Sequence, residues 1–179
     1  MSIDDDVKPA REARAVYNIM RDALFASYNW SFAKERAAIP ALVAAPPFGF
    51  SFQYQIPSDA LRILFIGDYY AGLDLSSYRS APTQLYEIEQ RKILTNLDSP
   101  LHIKYVKQIV DSTQWTAQFT FAFVAKLAEL LAEPLTQSEQ KRARAESEFN
   151  KQISLAIRAN AIEMPPEKLP DDEWLMSRL

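Results

Sequence analysis

Residues 115–136 read WTAQFTFAFVAKLAELLAEPLT, and this stretch decides the fold. Trp115, Phe119, Phe123, Leu127 and Leu130 recur at three- and four-residue steps, the spacing of one helix face. Phe121, Val124 and Leu131 carry apolar surface onto other faces, and between Trp115 and Ala132 only Thr116, Gln118, Thr120, Lys126 and Glu129 are strongly polar. A helix this apolar is expected at the centre of its fold. Asp111 or Ser112 is placed to cap it, and Pro134 to stop it.

Immediately downstream, Thr136-Gln137-Ser138-Glu139 has the form of a capping box, with Thr136 as cap and Glu139 reaching back. It opens a helix to about residue 160. The first turns of that helix are charged on nearly all sides (Glu139, Lys141, Arg142, Arg144, Glu146, Glu148). Phe149, Ile153, Ala156 and Ile157 then form an apolar stripe. One end should project while the other docks.

Upstream, Ala13, Tyr17, Met20, Leu24 and Tyr28 mark the inner face of a first helix, with Arg11, Arg14, Asn18 and Arg21 opposite and Pro9 in its first turn. Residues 33–47 read as an irregular excursion broken by Pro40, Pro46 and Pro47. The period then changes to two: Phe48, Phe50, Phe52, Tyr54 and Ile56 alternate with Gly49, Ser51, Gln53 and Gln55, a strand with one apolar face. Leu61 to Ile66 is a strand or a short helical turn, and residues 67–83 are a loop. Tyr86 to Glu89 and Lys92 to Thr95 are β, and Leu101, Ile103 and Tyr105 alternate with polar residues. The spacing predicts a hairpin with Asn96–Pro100 at its tip.

The expected fold is therefore α+β, a bundle of three to four helices (about residues 9–29, 112–133 and 137–160) with a β-containing insertion over about 48–107, forming one domain over 1–162. Residues 163–179 read as an extended C-terminal arm, with Pro165, Pro166, Pro170 and the acidic run Asp171-Asp172-Glu173 leading to Trp174, Leu175, Met176 and Leu179.

Composition narrows the chemistry. The chain has 179 residues, 48% hydrophobic and 24% charged, with 20 basic against 23 acidic residues and a net charge of -3. There is no basic excess for a general grip on nucleic acid. No cysteine is present, so disulfides, thiolate metal sites and cysteine nucleophiles are excluded. The acidic start Met1-Ser2-Ile3-Asp4-Asp5-Asp6 has no secretory pattern, and no apolar run is long enough to span a membrane. Gly49, Gly67 and Gly72 are the only glycines, too scattered for a phosphate-cradling loop. The single histidine, His102, lies on the polar face of a strand with no nucleophile motif to serve. Neither acidic run has calcium-loop spacing. Glu87 and Glu89 share a strand face, as a glycosidase pair would, but cross-strand pairing with lysines is the better reading. No catalytic residue, metal or cofactor is expected.

The order of segments carries more than any one of them. A first helix closes in Asn29-Trp30-Ser31-Phe32-Ala33. Phe52-Gln53-Tyr54-Gln55-Ile56-Pro57-Ser58-Asp59-Ala60-Leu61-Arg62 follows a strand, Ile103-Lys104-Tyr105-Val106 precedes the Trp115 helix, and that helix runs to Ala132-Glu133-Pro134-Leu135-Thr136. Over about residues 9–160 this order resembles the tail tubular protein A family of podovirus head-to-tail adaptors. The resemblance implies a virion structural protein with no catalytic residues, assembled in the host bacterial cytoplasm. It implies a dodecameric homo-oligomeric ring at the tail neck, between the portal protein and the nozzle (tail tubular protein B), possible contact with tail fibres, and DNA passing through the lumen without sequence-specific binding. Trp174, Leu175, Met176 and Leu179 are expected to dock on a partner, as are Lys104 and Lys107 beside the hairpin tip. The rival readings are an adaptor or head-completion protein of a long-tailed phage, a tail-associated cell-wall hydrolase using Glu87 and Glu89 or another carboxylate pair, and an α+β binding domain unrelated to phage.

Overall fold

The computed structural model describes residues 5–67 and 86–163. The fold is α+β: three α-helices and two small antiparallel sheets among the described residues. In chain order these are α1 (Lys8–Ser27), β1 (Lys34–Ile39), β2 (Phe52–Gln55), β3 (Ala60–Ile66), β4 (Tyr86–Glu89), β5 (Lys92–Thr95), β6 (Leu101–Lys107), α2 (Ala117–Thr136) and α3 (Glu139–Ile162). The chain divides into two compact units. One is Met1–Tyr17 with Trp115–Leu179, and the other is Asn18–Gln114.

In the helical unit α2 and α3 form an antiparallel pair joined by Gln137 and Ser138. Phe119 and Ala122 are fully buried, and Phe123 nearly so. Around them stand aromatic rings: Trp115 meets Phe119 edge-on at 5.4 Å, Trp115 meets Phe123 at 4.9 Å, and Tyr17 of α1 meets Phe123 edge-on at 5.1 Å. Such tilted contacts suit the quadrupoles of the rings.

The ends of α2 and α3 differ from the sequence expectation. Asp111 does not cap α2. Its carboxylate accepts from the Thr113 amide at 2.9 Å and closes the 3-10 turn Ser112–Gln114. Those bonds hold its carboxyl below the ordinary range. Thr116 is the cap, accepting from the Phe119 amide. Pro134 does not stop the helix, because in the last turn it removes a single N–H. Gln137 ends α2 in the left-handed region, its amide donating to the Glu133 carbonyl at 2.9 Å. Ser138, not Thr136, caps α3, since Thr136 still belongs to α2 and donates to the Ala132 carbonyl at 2.6 Å. Glu139 pairs instead with Arg142 at 2.7 Å, which lowers the carboxyl pKa.

The β-rich unit holds two three-stranded sheets, ordered β1-β6-β3 and β2-β5-β4. Residues 34–39 are a strand, not an excursion: Lys34 to Ile39 pair with Val106 to Leu101. The charged Lys34-Glu35-Arg36 masks a strand whose partner lies far along the chain. The apolar alternation that starts at Phe48 becomes a strand only at Phe52, and Phe48 itself is exposed. The expected hairpin at Asn96–Pro100 does not form, because β5 and β6 belong to different sheets. The hairpin in this region joins β4 to β5 through Gln90 and Arg91, both left-handed (φ 46 and 60). Two positive φ angles match the right-handed strand twist. Arg91 is held there by its guanidinium, which donates to the Pro57 and Ala60 carbonyls at 2.8 and 3.2 Å.

The core of this unit gathers Ile39, Tyr54, Ile56, Ala60, Ile93, Leu101, Ile103 and Tyr105. A second buried group surrounds Trp30. Its ring is fully buried, and Nε1 donates to the Leu24 carbonyl at 3.0 Å. Tyr28 meets it edge-on at 5.3 Å. Arg21, expected on the solvent side of α1, is 4% exposed, with Nε donating to Asp22 at 2.9 Å and Nη1 to Asn18 at 3.2 Å. Phe25 takes the inward place beside Leu24, so the buried stripe is rotated from the one the spacing suggested.

Tyr105 gives this core a pH signature. Burial first, then the Asp59 and Glu35 carboxylates and a hydrogen bond to Asp59, push its phenol up to about 12. The folded state then keeps a proton that the unfolded chain releases near pH 10, so stability is full below pH 10 and declines as pH rises toward about 12. Urea midpoints measured across that alkaline range should fall, and Tyr105→Phe should flatten the slope. Tyr54, also raised by burial and then by Asp98, acts in the same direction.

Candidate interaction surfaces

The helical unit presents an unusual outer face. Ala117, Phe121, Val124, Ala128, Leu131 and Leu135 follow one another along α2 at alternating four- and three-residue steps, an uninterrupted apolar stripe. Phe121 is 62% exposed, Val124 56% and Leu135 37%. Ala117 and Ala128 are also exposed, and Leu131 is half-buried. The stripe is about 27 Å long at the helical rise.

Some polar residues of this helix, by contrast, turn toward α3. Lys126 Nζ sits 4.8 Å from the centre of the Phe149 ring and 2.9 Å from Glu129. The Glu129 side chain is 13% exposed. The pattern is inverted relative to a helix facing water. Fully burying Phe121 and Val124 would be worth about 1–2 kcal/mol each, given what is already covered. The apolar composition predicts a central helix, and the structure differs in leaving one side of it exposed. The signal that would have revealed the stripe was present in its spacing. It was hidden because the Trp115–Phe119–Phe123 ladder is equally apolar.

The β1-β6-β3 sheet has two different faces. Ile39, Ala37, Leu101, Ile103, Tyr105 and Ile63 point to the core. Lys34, Arg36, His102 and Lys104 alternate onto the other. Lys104 and Lys107, three residues apart, therefore lie on opposite faces. Lys107 reaches Glu35 at 3.5 Å and Asp59 at 3.9 Å, an ion-paired position at the sheet end. Neither lysine flanks a hairpin tip. His102 is exposed, and its carbonyl accepts from the Gly67 amide at 2.7 Å.

Glu87 and Glu89 stand opposite Leu94 and Lys92. They share the outer face of their sheet with Gln53 and Gln55, while Tyr54, Ile93 and Thr95 fill the inner one. Glu89 and Lys92 thus have the cross-strand relation the sequence suggested. Trp174, Leu175, Met176 and Leu179 lie outside the described residues, as do the loop over 68–83 and the run Asp171-Asp172-Glu173.

The sequence motifs converge within the β-rich unit. The Arg62 guanidinium donates to the Asn29 side chain, joining the first motif to the second. The Asp59 carbonyl accepts from the Gln108 amide at 2.7 Å, and its carboxylate accepts from the Tyr105 hydroxyl at 3.4 Å, joining the second to the third. Gln108 Nε2 in turn donates to Asp22 at 2.7 Å. These residues tie α1, the β2–β3 turn and β6 together. Among the described residues no group of three His, Cys, Asp or Glu could hold a metal ion, and no helix is long and apolar enough to cross a membrane. Compared with known proteins, the chain matches no family and no curated sequence.

Proposed function

We propose that this chain is a non-enzymatic structural subunit of a bacteriophage head-to-tail connector, one copy in a dodecameric ring that joins the portal to the tail nozzle around the DNA channel. The observation that carries the proposal is the outward apolar stripe of α2. A face of that length and composition is suited to burial against another chain, and a ring built by repeated head-to-tail contacts requires such a face on every subunit. The ordered motifs from Asn29 to Thr136 support the same reading through their resemblance to tail tubular protein A, and their residues act as a scaffold.

The test is electron microscopy of the purified chain mixed with cognate portal rings or DNA-filled heads. A stacked ring of added density on the portal is the expected result. A folded chain that adds no density to either would overturn the proposal.

A further inference from the structure

Head-to-tail contacts are heterologous, so whatever covers the α2 stripe of one copy is a different surface of its neighbour. The β-rich unit carries such a surface. From Ala37 to Ser58 the chain has no charged residue. Within that span Leu42 is 36% exposed, Phe48 is 86% exposed, and Val43 stands fully in solvent. Ala44, Ala45 and Pro47 beside them are exposed as well. No other loop among the described residues sets as many apolar side chains out together.

The loop is fastened at its base and bare at its tip. The Leu42 amide donates to the Gln53 carbonyl at 2.8 Å, and Gln53 Nε2 donates back to the Ala44 carbonyl. The Ala41 amide donates to the Ser99 hydroxyl at 3.2 Å, and the Ser51 amide to the Asn96 side-chain oxygen at 2.8 Å. Gly49 turns the chain at a φ of 86, in the region that favours glycine. A loop ordered in this way already has the shape that docking would otherwise have to impose, which lowers the entropic cost of binding.

We infer that the Leu42–Phe50 loop of one copy packs on the α2 stripe of the next. The inference deepens the connector reading and rests on it for the requirement that the two surfaces differ. Ala128 lies between Val124 and Leu131 on the stripe and leaves a gap that a ring such as Phe48 fills, as a knob fills a hole. Neither surface carries a charge, so covering them strands no ion. Phe48 and Phe121 each offer on the order of 100–200 Å² at their exposures. With the aliphatic groups beside them the contact belongs among the smaller interfaces, below about 1,200 Å² in total, which form reversibly. Closure of the ring then multiplies a contact that is weak in any one pair.

The cysteine-free chain permits a direct test. Ala45→Cys in one copy and Ala128→Cys in another, size-tagged copy alter exposed positions only slightly. Oxidised as a mixture of full chains, they should form the mixed disulfide at least about tenfold faster than either variant alone forms its own dimer. Adding Phe48→Asp to the first copy or Phe121→Asp to the second should remove that excess while circular dichroism stays unchanged. Loop-to-loop or stripe-to-stripe dimers forming as fast as the mixed one would overturn the inference. So would binding of the unaltered chain to phosphatidylcholine vesicles that Phe48→Asp abolishes, since it would assign the loop to a lipid surface. Ring assembly on the portal is read separately with the unaltered chain. Selective mixed closure without rings on the portal leaves the contact standing and removes the connector reading. Rings on the portal without selective closure do the reverse.

Discussion

Phe119→Ala should cost about 3–5 kcal/mol of folding stability, while Phe121→Ala, two residues along the same helix, should cost no more than about 0.5 kcal/mol. The first ring is fully buried and meets Trp115 edge-on at 5.4 Å, so its removal leaves a cavity among rings that cannot close the gap. The second is 62% exposed and loses little that water does not replace. Against a typical total of about 5–15 kcal/mol, the first change is a large fraction. Urea denaturation of the two variants checks the contrast. Equal costs would mean that Phe121 is covered in the folded subunit. In ring assembly on the portal the order should reverse, with Phe121→Asp abolishing rings while the fold survives.

Trp30→Ala should be comparably severe, about 3–5 kcal/mol. The indole fills the space beneath Tyr28 and Phe32, and its Nε1–H is spent on the Leu24 carbonyl. Trp30→Phe separates the two contributions. It keeps most of the apolar volume and loses the hydrogen bond, for an expected cost of about 0.5–1.5 kcal/mol plus a modest packing loss. Leu24 keeps one partner in either variant, because the Ser27 hydroxyl also donates to its carbonyl at 2.8 Å. If Trp30→Ala and Trp30→Phe unfold at the same denaturant concentration, the ring volume is not what holds this corner.

Helical periodicity is legible in the second half of α3, and in α1 it locates the helix while the buried stripe is rotated onto Arg21 and Phe25. It located α2 as well, though it made that helix central where the structure leaves one side open. The cap positions differ by a few residues because Asp, Ser and Thr stand close together before α2, and Thr and Ser before α3. Only backbone geometry selects Thr116 and Ser138. β1 escaped notice because its six residues include three charges, and its pairing with β6 spans most of the β-rich unit. The Asn96–Pro100 hairpin was a local inference from two alternating strands around a turn. It failed because adjacency in sequence does not choose a sheet.

By itself the sequence determined the α+β class, the three helices and the cysteine-free chemistry. These depend on local period, composition and residue order, which a chain carries wherever it folds. The tertiary structure alone decided which strands pair, that Arg21 is buried, that Lys104 and Lys107 part to opposite faces, and that one side of α2 faces outward. Those outcomes depend on contacts between residues far apart in the chain. Two equally apolar sides of one helix become core or surface only when the rest of the fold chooses which to cover.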